Sequence, residues 1–273
     1  MTYTALSERG PRIAVATSED LFHWERLGLA AFMPHGQIQF QGVDNKDGAV
    51  FPVPIPNPAG QPSIAILHRP LFPGTRPEEI GERLYPETRA EGIEREPVDR
   101  ERESIWISYC SLGDRPPGEE AHRYICHFGS HHRLASPVAD WELVKIGTGT
   151  PPVPTRFGWL IVYHGVCELP EPTGSHRFRY SAGVMVLSRE EPHVILYRSP
   201  QPVLSPTHPD ELDGAVPNVV FPTGIDRRDD IGQPERFDVY YGMADDSIGV
   251  AKMMLPDRLP EHAPADRNHA TRR

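Results

Sequence analysis

Apolar residues recur along this chain in short runs, rich in β-branched and aromatic side chains and broken by Pro, Gly and charged turns. The clearest are Arg12–Thr17, Ser63–Arg69, Ser104–Cys110, Arg123–Gly129, Gly158–Gly165, Arg179–Leu187, His193–Arg198, Asn218–Gly224, Phe237–Asp245 and Ile248–Leu255. Runs of this length, bounded by turn residues, read as β-strands, and almost nothing carries the 3.6-residue period of an amphipathic helix. Met1–Ala5 alternates like the second half of a strand, so the chain reads as starting inside a sheet.

The strands fall into a loose repeat of roughly 50 to 70 residues, the kind of period that marks arrays and propellers. Ser18, Asp20, Trp24-Glu25 and Gly28 close the first unit, and Ser136, Asp140, Trp141-Glu142 and Gly147 echo them in the second. The expected fold is therefore all-β, a β-propeller of small antiparallel sheets that bury their faces against one another. A β-sandwich is the alternative. About three and a half units are visible, fewer than a closed ring needs. Trp24, Trp141 and Trp159 are expected in the core between blades. The charged stretch Pro73–Glu103 is expected to be a surface excursion, and residues 256–273 a flexible tail after a domain spanning 1–255.

Composition narrows the picture. The 31 prolines are scattered over all 273 residues, which leaves little room for long helices. A formal net charge of −10 speaks against a nucleic-acid surface or an anionic membrane partner. The three cysteines, Cys110, Cys126 and Cys167, have no CxxC spacing, so a disulfide framework or structural zinc is not expected. The polar opening residues and the lack of a long apolar span give no targeting signal, and the expected location is the cytoplasm. His127, His131 and His132 are close in sequence but lack carboxylate partners, so no metal site is expected.

The candidate chemistry sits between Val43 and Pro70. Asp44, Lys46 and Asp47 sit just before one short strand, and His68 and Arg69 close the next. Paired antiparallel, the two would bring both charge clusters to one end of a sheet, as an oxyanion site requires. Other readings stay open on residues alone: Lys46 and Asp47 as a solvated turn pair, Arg69 as a strand-end charge, and His164 as a hydrogen-bonded buried histidine.

Several blocks carry a family resemblance: Asp44-Asn-Lys-Asp-Gly-Ala-Val-Phe-Pro52, Leu67-His-Arg-Pro70, Lys145-Ile-Gly-Thr-Gly-Thr-Pro-Pro152, Gly158-Trp-Leu-Ile-Val-Tyr-His-Gly-Val166, Gly214-Ala-Val-Pro-Asn-Val-Val-Phe-Pro-Thr-Gly224 and Tyr240-Tyr-Gly-Met-Ala-Asp245. In this order they resemble glycoside hydrolase family 130, the β-mannoside phosphorylases and related β-mannosidases, over roughly residues 1 to 255. The resemblance implies a five-bladed β-propeller and inverting phosphorolysis of β-mannosides to α-mannose 1-phosphate, with inorganic phosphate as co-substrate and no cofactor. It implies phosphate-binding roles for Lys46, Arg69 and His164, and sugar-binding roles for Asp47, Glu211, Asp245 and Tyr241. Hydrolytic members tend to lack that basic set, so hydrolysis is the second reading. The partners implied are a β-mannoside oligosaccharide and phosphate, and a homo-oligomer is in keeping with the family.

One departure is plain. The general acid that the resemblance implies lies in a Glu-Asp-Pro-Arg motif, and the sequence contains none. The motif's expected place lies just before Met1, so an N-terminally truncated first blade is expected, and no catalytic residue is assigned. Loss of general acid catalysis removes roughly 10²- to 10⁴-fold in rate. A catalytically inactive fragment or sugar-binding module is therefore a further reading, and a propeller scaffold for protein partners another.

Overall fold

The computed structural model describes residues 1–35, 39–40, 42–72, 102–114, 127–173 and 176–260. Most of the Pro73–Glu103 stretch, the start of the Arg123–Gly129 run with Cys126, and residues 261–273 lie outside them.

Strands β1 (Thr2–Ser7), β2 (Gly10–Thr17) and β3 (Glu25–Leu29) form the first sheet in that order. After the short β4 (Ala31–Phe32), the second sheet is built from β5 (Asp44–Val50), β6 (Ile55–Pro56), β7 (Pro62–Leu71), β8 (Ile105–Ser111) and β10 (Ser130–Ala135). Between β8 and β10 lies β9 (His127–Phe128), which pairs in parallel with β4. The third sheet holds β11 (Lys145–Thr148), β12 (Val153–Thr155), β13 (Gly158–Thr173), β14 (His176–Leu187) and β15 (Ile195–Arg198). The fourth holds β16 (Val220–Arg227), β17 (Arg236–Met243) and β18 (Ser247–Met254).

All pairings within these four sheets are antiparallel among the described residues. The arrangement is all-β and propeller-like. In each sheet the first strand in chain order is an edge strand, and it faces the neighbouring sheet: β1 lies against β5, β11 against β5 and β7, and β16 against β13 and β14. Functional side chains near the start of each unit are thereby brought to the seams between sheets.

The strand pattern explains why both faces of the middle sheets are dry. Along β13, Trp159, Ile161 and Tyr163 enter the main core with Leu67, Ile107 and Leu187, while the alternate Leu160 and Val162 enter two further clusters that include Phe237 and Val239. Period-2 alternation with both faces apolar is what a sheet packed between two others requires. All seven residues of β8 are buried for the same reason.

Trp141 and Trp159 are buried in that core, as the sequence suggests. Trp24 is not: it is 40% exposed. It sits in a turn tied by Ser18 and Asp20, whose side-chain oxygens accept from the backbone N–H groups of Leu21, Phe22 and His23, and its indole N–H donates to the Leu21 carbonyl at 2.9 Å. The turn joins β2 to β3, and β3 is itself mostly exposed, so the indole has no facing sheet to pack on. Trp141, in the same sequence context, packs at a tilt against Tyr163 with ring centroids 5.6 Å apart.

A buried polar network braces the third sheet. Glu142, in the 3-10 turn Asp140–Glu142, accepts from Arg198 Nη2 at 2.6 Å and from the Tyr163 hydroxyl at 2.8 Å. It also accepts from the backbone N–H groups of Val138 and Ala139. Removing one partner of a buried pair strands the other charge, at a cost of about 3–5 kcal/mol. Arg198→Ala is expected to lower stability by about that amount in urea unfolding, because Glu142 is fully buried.

Candidate active site

Lys46 and Arg69 face each other across the antiparallel pair of β5 and β7. Directly opposed residues project to the same face of a sheet, so both cations share one side. The register slips by one residue between Lys46 and Ala49, a β-bulge, and Asp47 within it takes a left-handed backbone, φ 58°. Aspartate tolerates that region better than most residues, and the bulge re-aims its side chain. Regular alternation would point Asp47 away from Arg69. Instead its Oδ2 accepts from Arg69 Nε at 2.6 Å.

Arg69 is only 3% exposed and carries a second carboxylate: its Nη1 donates to Oε2 of Glu103, itself buried. Glu103 precedes β8 at the junction of the second and third sheets, where its carbonyl accepts from Ile146 N–H of β11 at 3.1 Å.

The third sheet supplies His164 from β13 and Lys145 from β11. Gly147 of β11 lies opposite His164 in register. A side chain there would meet the Asp47 carboxylate at 2.3 Å and His164 Cε1 at 2.4 Å, so the bare glycine is what lets the two sheets' functional groups approach. Overpacking of this kind costs about 1–3 kcal/mol. Gly147→Ala is expected to lower stability by that amount in urea unfolding, since His164 is buried and the Asp47 side chain largely so.

His164 is fully buried, lies against the Phe221 ring at 4.4 Å and over Tyr180 at 6.2 Å, and neither ring nitrogen has a hydrogen-bond partner among the described residues. Its Nε2 is 3.7 Å from Asp47 Oδ2, beyond a direct hydrogen bond. Lys145 Nζ sits 5.5 Å above the Tyr180 ring.

Electrostatics follow from burial and crowding. Burial pushes the His164 pKa down to about 3; Asp47 opposes this, while Arg69, Lys145 and Lys46 add to it. Lys46 is lowered by burial first and by Arg69 second. For Asp47, burial pulls upward, but the charge and hydrogen bond of Arg69, with Lys46 adding, outweigh it and hold the carboxyl below its usual range. The cluster thus gathers Lys46, Arg69 and Lys145 against Asp47 and Glu103 around a neutral imidazole with open nitrogens. An excess of positive charge with unsatisfied polar atoms is chemistry that can hold an anion.

The remaining expected residues sit around the fourth sheet. Glu211 is buried in the one-turn helix Pro209–Leu212. Its Oε2 accepts from the backbone N–H groups of Thr207 and His208, each at 2.8 Å, and its Oε1 from the Tyr241 hydroxyl at 2.8 Å. Burial raises the Glu211 pKa and these hydrogen bonds outweigh it, leaving the carboxylate lowered; burial and Glu211 together push Tyr241 up to about 12. Both groups are thereby committed to each other. Asp245 is exposed in the turn between β17 and β18, with φ 52°, and acts electrostatically on Tyr180.

Lys46 and Asp47 lie half-buried within β5, Arg69 is buried and ion-paired, and His164 is buried with neither ring nitrogen hydrogen-bonded among the described residues. Asp44, at the start of the same strand, is ion-paired with Arg12. Sequence reasoning assigned no site role to Glu103 or to Lys145.

A family model for β-1,4-mannooligosaccharide phosphorylases matches residues 122–259, half of the chain. The chain belongs to glycoside hydrolase family 130. Among family 130 relatives, the 1,2-β-oligomannan phosphorylase of Thermoanaerobacter sp. strain X514 is 28% identical over 94% of this chain and 64% of its own length. The β-1,2-mannobiose phosphorylase of Listeria innocua is 32% identical over 95% of this chain and 55% of its own. The solved structure of the Listeria innocua β-1,2-mannobiose phosphorylase with β-1,2-mannobiose superposes with a TM-score of 0.62 at 24% identity, over 93% of this chain and 54% of that one. The chain therefore spans between about half and two-thirds of these family 130 members. Among the described residues no helix is long and apolar enough to cross a membrane.

Proposed function

We propose that the cluster at the seam of the second and third sheets holds inorganic phosphate, and that the protein uses it to cleave β-mannosides with inversion. In this reaction a phosphate oxygen forms a bond to the anomeric carbon while the glycosidic C–O bond breaks. The leaving oxygen takes up a proton, and the product is α-mannose 1-phosphate. The observation that carries the reading is the convergence of Lys46, Arg69, Lys145 and the open imidazole of His164. A guanidinium and two ammonium groups offset phosphate charge, and a ring N–H donates to an oxygen. Phosphate needs no further cofactor for this step. Asp47, Glu211, Tyr241 and Asp245 are the sugar-side residues of the proposal, with Asp245 the most accessible of them.

The fold reading behind it is a five-bladed propeller, of which four sheets are described here. The relatives named above are phosphorylases of β-1,2-linked mannosides and the family model is one of β-1,4-mannooligosaccharide phosphorylases, which sets the substrates to try. Neither Asp44 nor Asp47 suits the role of proton donor. Asp44 is paired with Arg12, and Asp47 is held ionised by Arg69.

The test is incubation with β-1,2- and β-1,4-mannobiose, with and without phosphate, followed by detection of α-mannose 1-phosphate. Phosphate-dependent product supports the proposal, and mannose released equally without phosphate favours a β-mannosidase. One further reading is a mannoside-binding module. That reading is supported by saturable mannobiose binding with no turnover in either arm.

A further inference from the structure

We infer that Glu103 is the positioning residue that holds Arg69 in the orientation an anion requires. The inference rests on the phosphate reading above and adds a residue to it.

Three observations carry it. First, the Arg69 side chain is divided: Nε goes to Asp47 and Nη1 to Glu103, so the guanidinium plane is fixed by two carboxylates on different strand segments. A planar fork held at two corners has one remaining direction in which to offer Nη2. Second, Glu103 is itself anchored from both sides. Its carbonyl accepts from Ile146 N–H, Arg102 Nη1 donates to the Leu143 carbonyl at 2.6 Å, and the Ser104 hydroxyl donates to the Arg102 carbonyl at 2.7 Å. Residues 102–104 thus tie the start of β8 to the third sheet, and the carboxylate inherits a fixed place. Third, Glu103 is 2% exposed. A buried carboxylate is costly unless paired, and placing one beside a proposed anion site lowers the very charge that attracts the anion. Its benefit there is geometric.

Charge and geometry make opposite forecasts for two conservative variants. Glu103→Asp keeps the charge but shortens the side chain by one methylene, so it no longer reaches Nη1 in place. Glu103→Gln removes the charge but keeps an oxygen that can accept from Nη1. The measurement is calorimetric titration of the full chain and both variants with inorganic phosphate, alongside the thermal midpoint of each. Positioning predicts that Glu103→Asp weakens phosphate binding by about tenfold or more, as the loss of a charge-assisted contact does, while Glu103→Gln binds as tightly as the parent or tighter. The inference is overturned if Glu103→Asp binds like the parent, or if the affinities of both variants follow charge alone with Glu103→Gln tighter and Glu103→Asp unchanged. It is also overturned if both variants lose thermal stability while phosphate affinity is untouched, which marks a purely structural residue. A parent chain that binds no phosphate at all overturns the phosphate reading itself, and the inference with it.

Discussion

Replacing Arg69 by Ala is expected to destabilise the chain by about 3–5 kcal/mol and to abolish phosphate binding together. The two losses share one cause. Arg69 is the partner of Asp47 and Glu103 at once, and its removal strands two carboxylates, one buried and one largely so. Arg69→Lys separates the effects. A lysine restores one positive charge, but it is a single point and cannot serve two carboxylates while facing an anion. Its stability should fall between parent and Arg69→Ala, and phosphate affinity should stay near that of Arg69→Ala. Urea unfolding and calorimetry on the same preparations check both. Full stability in Arg69→Ala would sink the account of the buried pairs.

The second large effect is acid destabilisation. His68, His131 and His164 are all buried and neutral. Burial holds His164 down to about 3 and His131 down to about 4, and burial, with His131 second, holds His68 well below its ordinary value. His68 and His131 are joined through the Ser108 hydroxyl, at 2.6 Å and 2.7 Å, and His131 Nε2 ends the chain on the Met33 carbonyl at 2.8 Å. In the unfolded chain each imidazole takes a proton near pH 6.5. Below that value the unfolded state therefore binds more protons than the folded one, and stability rises with pH. The contribution is complete above pH 6.5 and is lost as pH falls toward the folded values, at about 1.4 kcal/mol per unit for each group. Asp47, held low by Arg69 against its burial, adds a loss of the same sign below its ordinary range. Moving from pH 7.5 to pH 5 is expected to cost about 2 kcal/mol for each imidazole, read from urea midpoints. His164→Asn should flatten that dependence by about one imidazole's share. A pH-independent midpoint between 7.5 and 5 contradicts the neutral, buried state of these rings.

How much of this the sequence discloses depends on the kind of information each residue needs. The opposition of Lys46 and Arg69 was legible, because two apolar runs separated by a Pro-rich turn imply an antiparallel pair, and the pair fixes which charges meet. The bulge at Asp47 was not, since an extra residue in one strand leaves no signature that a turn-like Asn-Lys-Asp-Gly would not also leave. Glu103 was hidden for a different reason. It ends a long charged stretch and reads as part of it, although its position directly before the apolar run of β8 was the available signal. Lys145 stood inside a recognised block, yet its place in the site depends on β11 pairing with β13, a relation between distant segments. Trp24 shows the limit of repeats: the same Ser, Asp and Trp-Glu order produces a buried ring only where a neighbouring sheet covers it.

The claim on which the rest depends is that Lys46, Arg69, Lys145 and His164 form one anion site, and calorimetric titration with inorganic phosphate tests it most directly. The account predicts saturable binding that weakens with added salt, as screened charges require, and that is lost in Lys46→Ala although that variant stays folded. Binding that is absent in the parent chain, or that survives unchanged in Lys46→Ala, contradicts it.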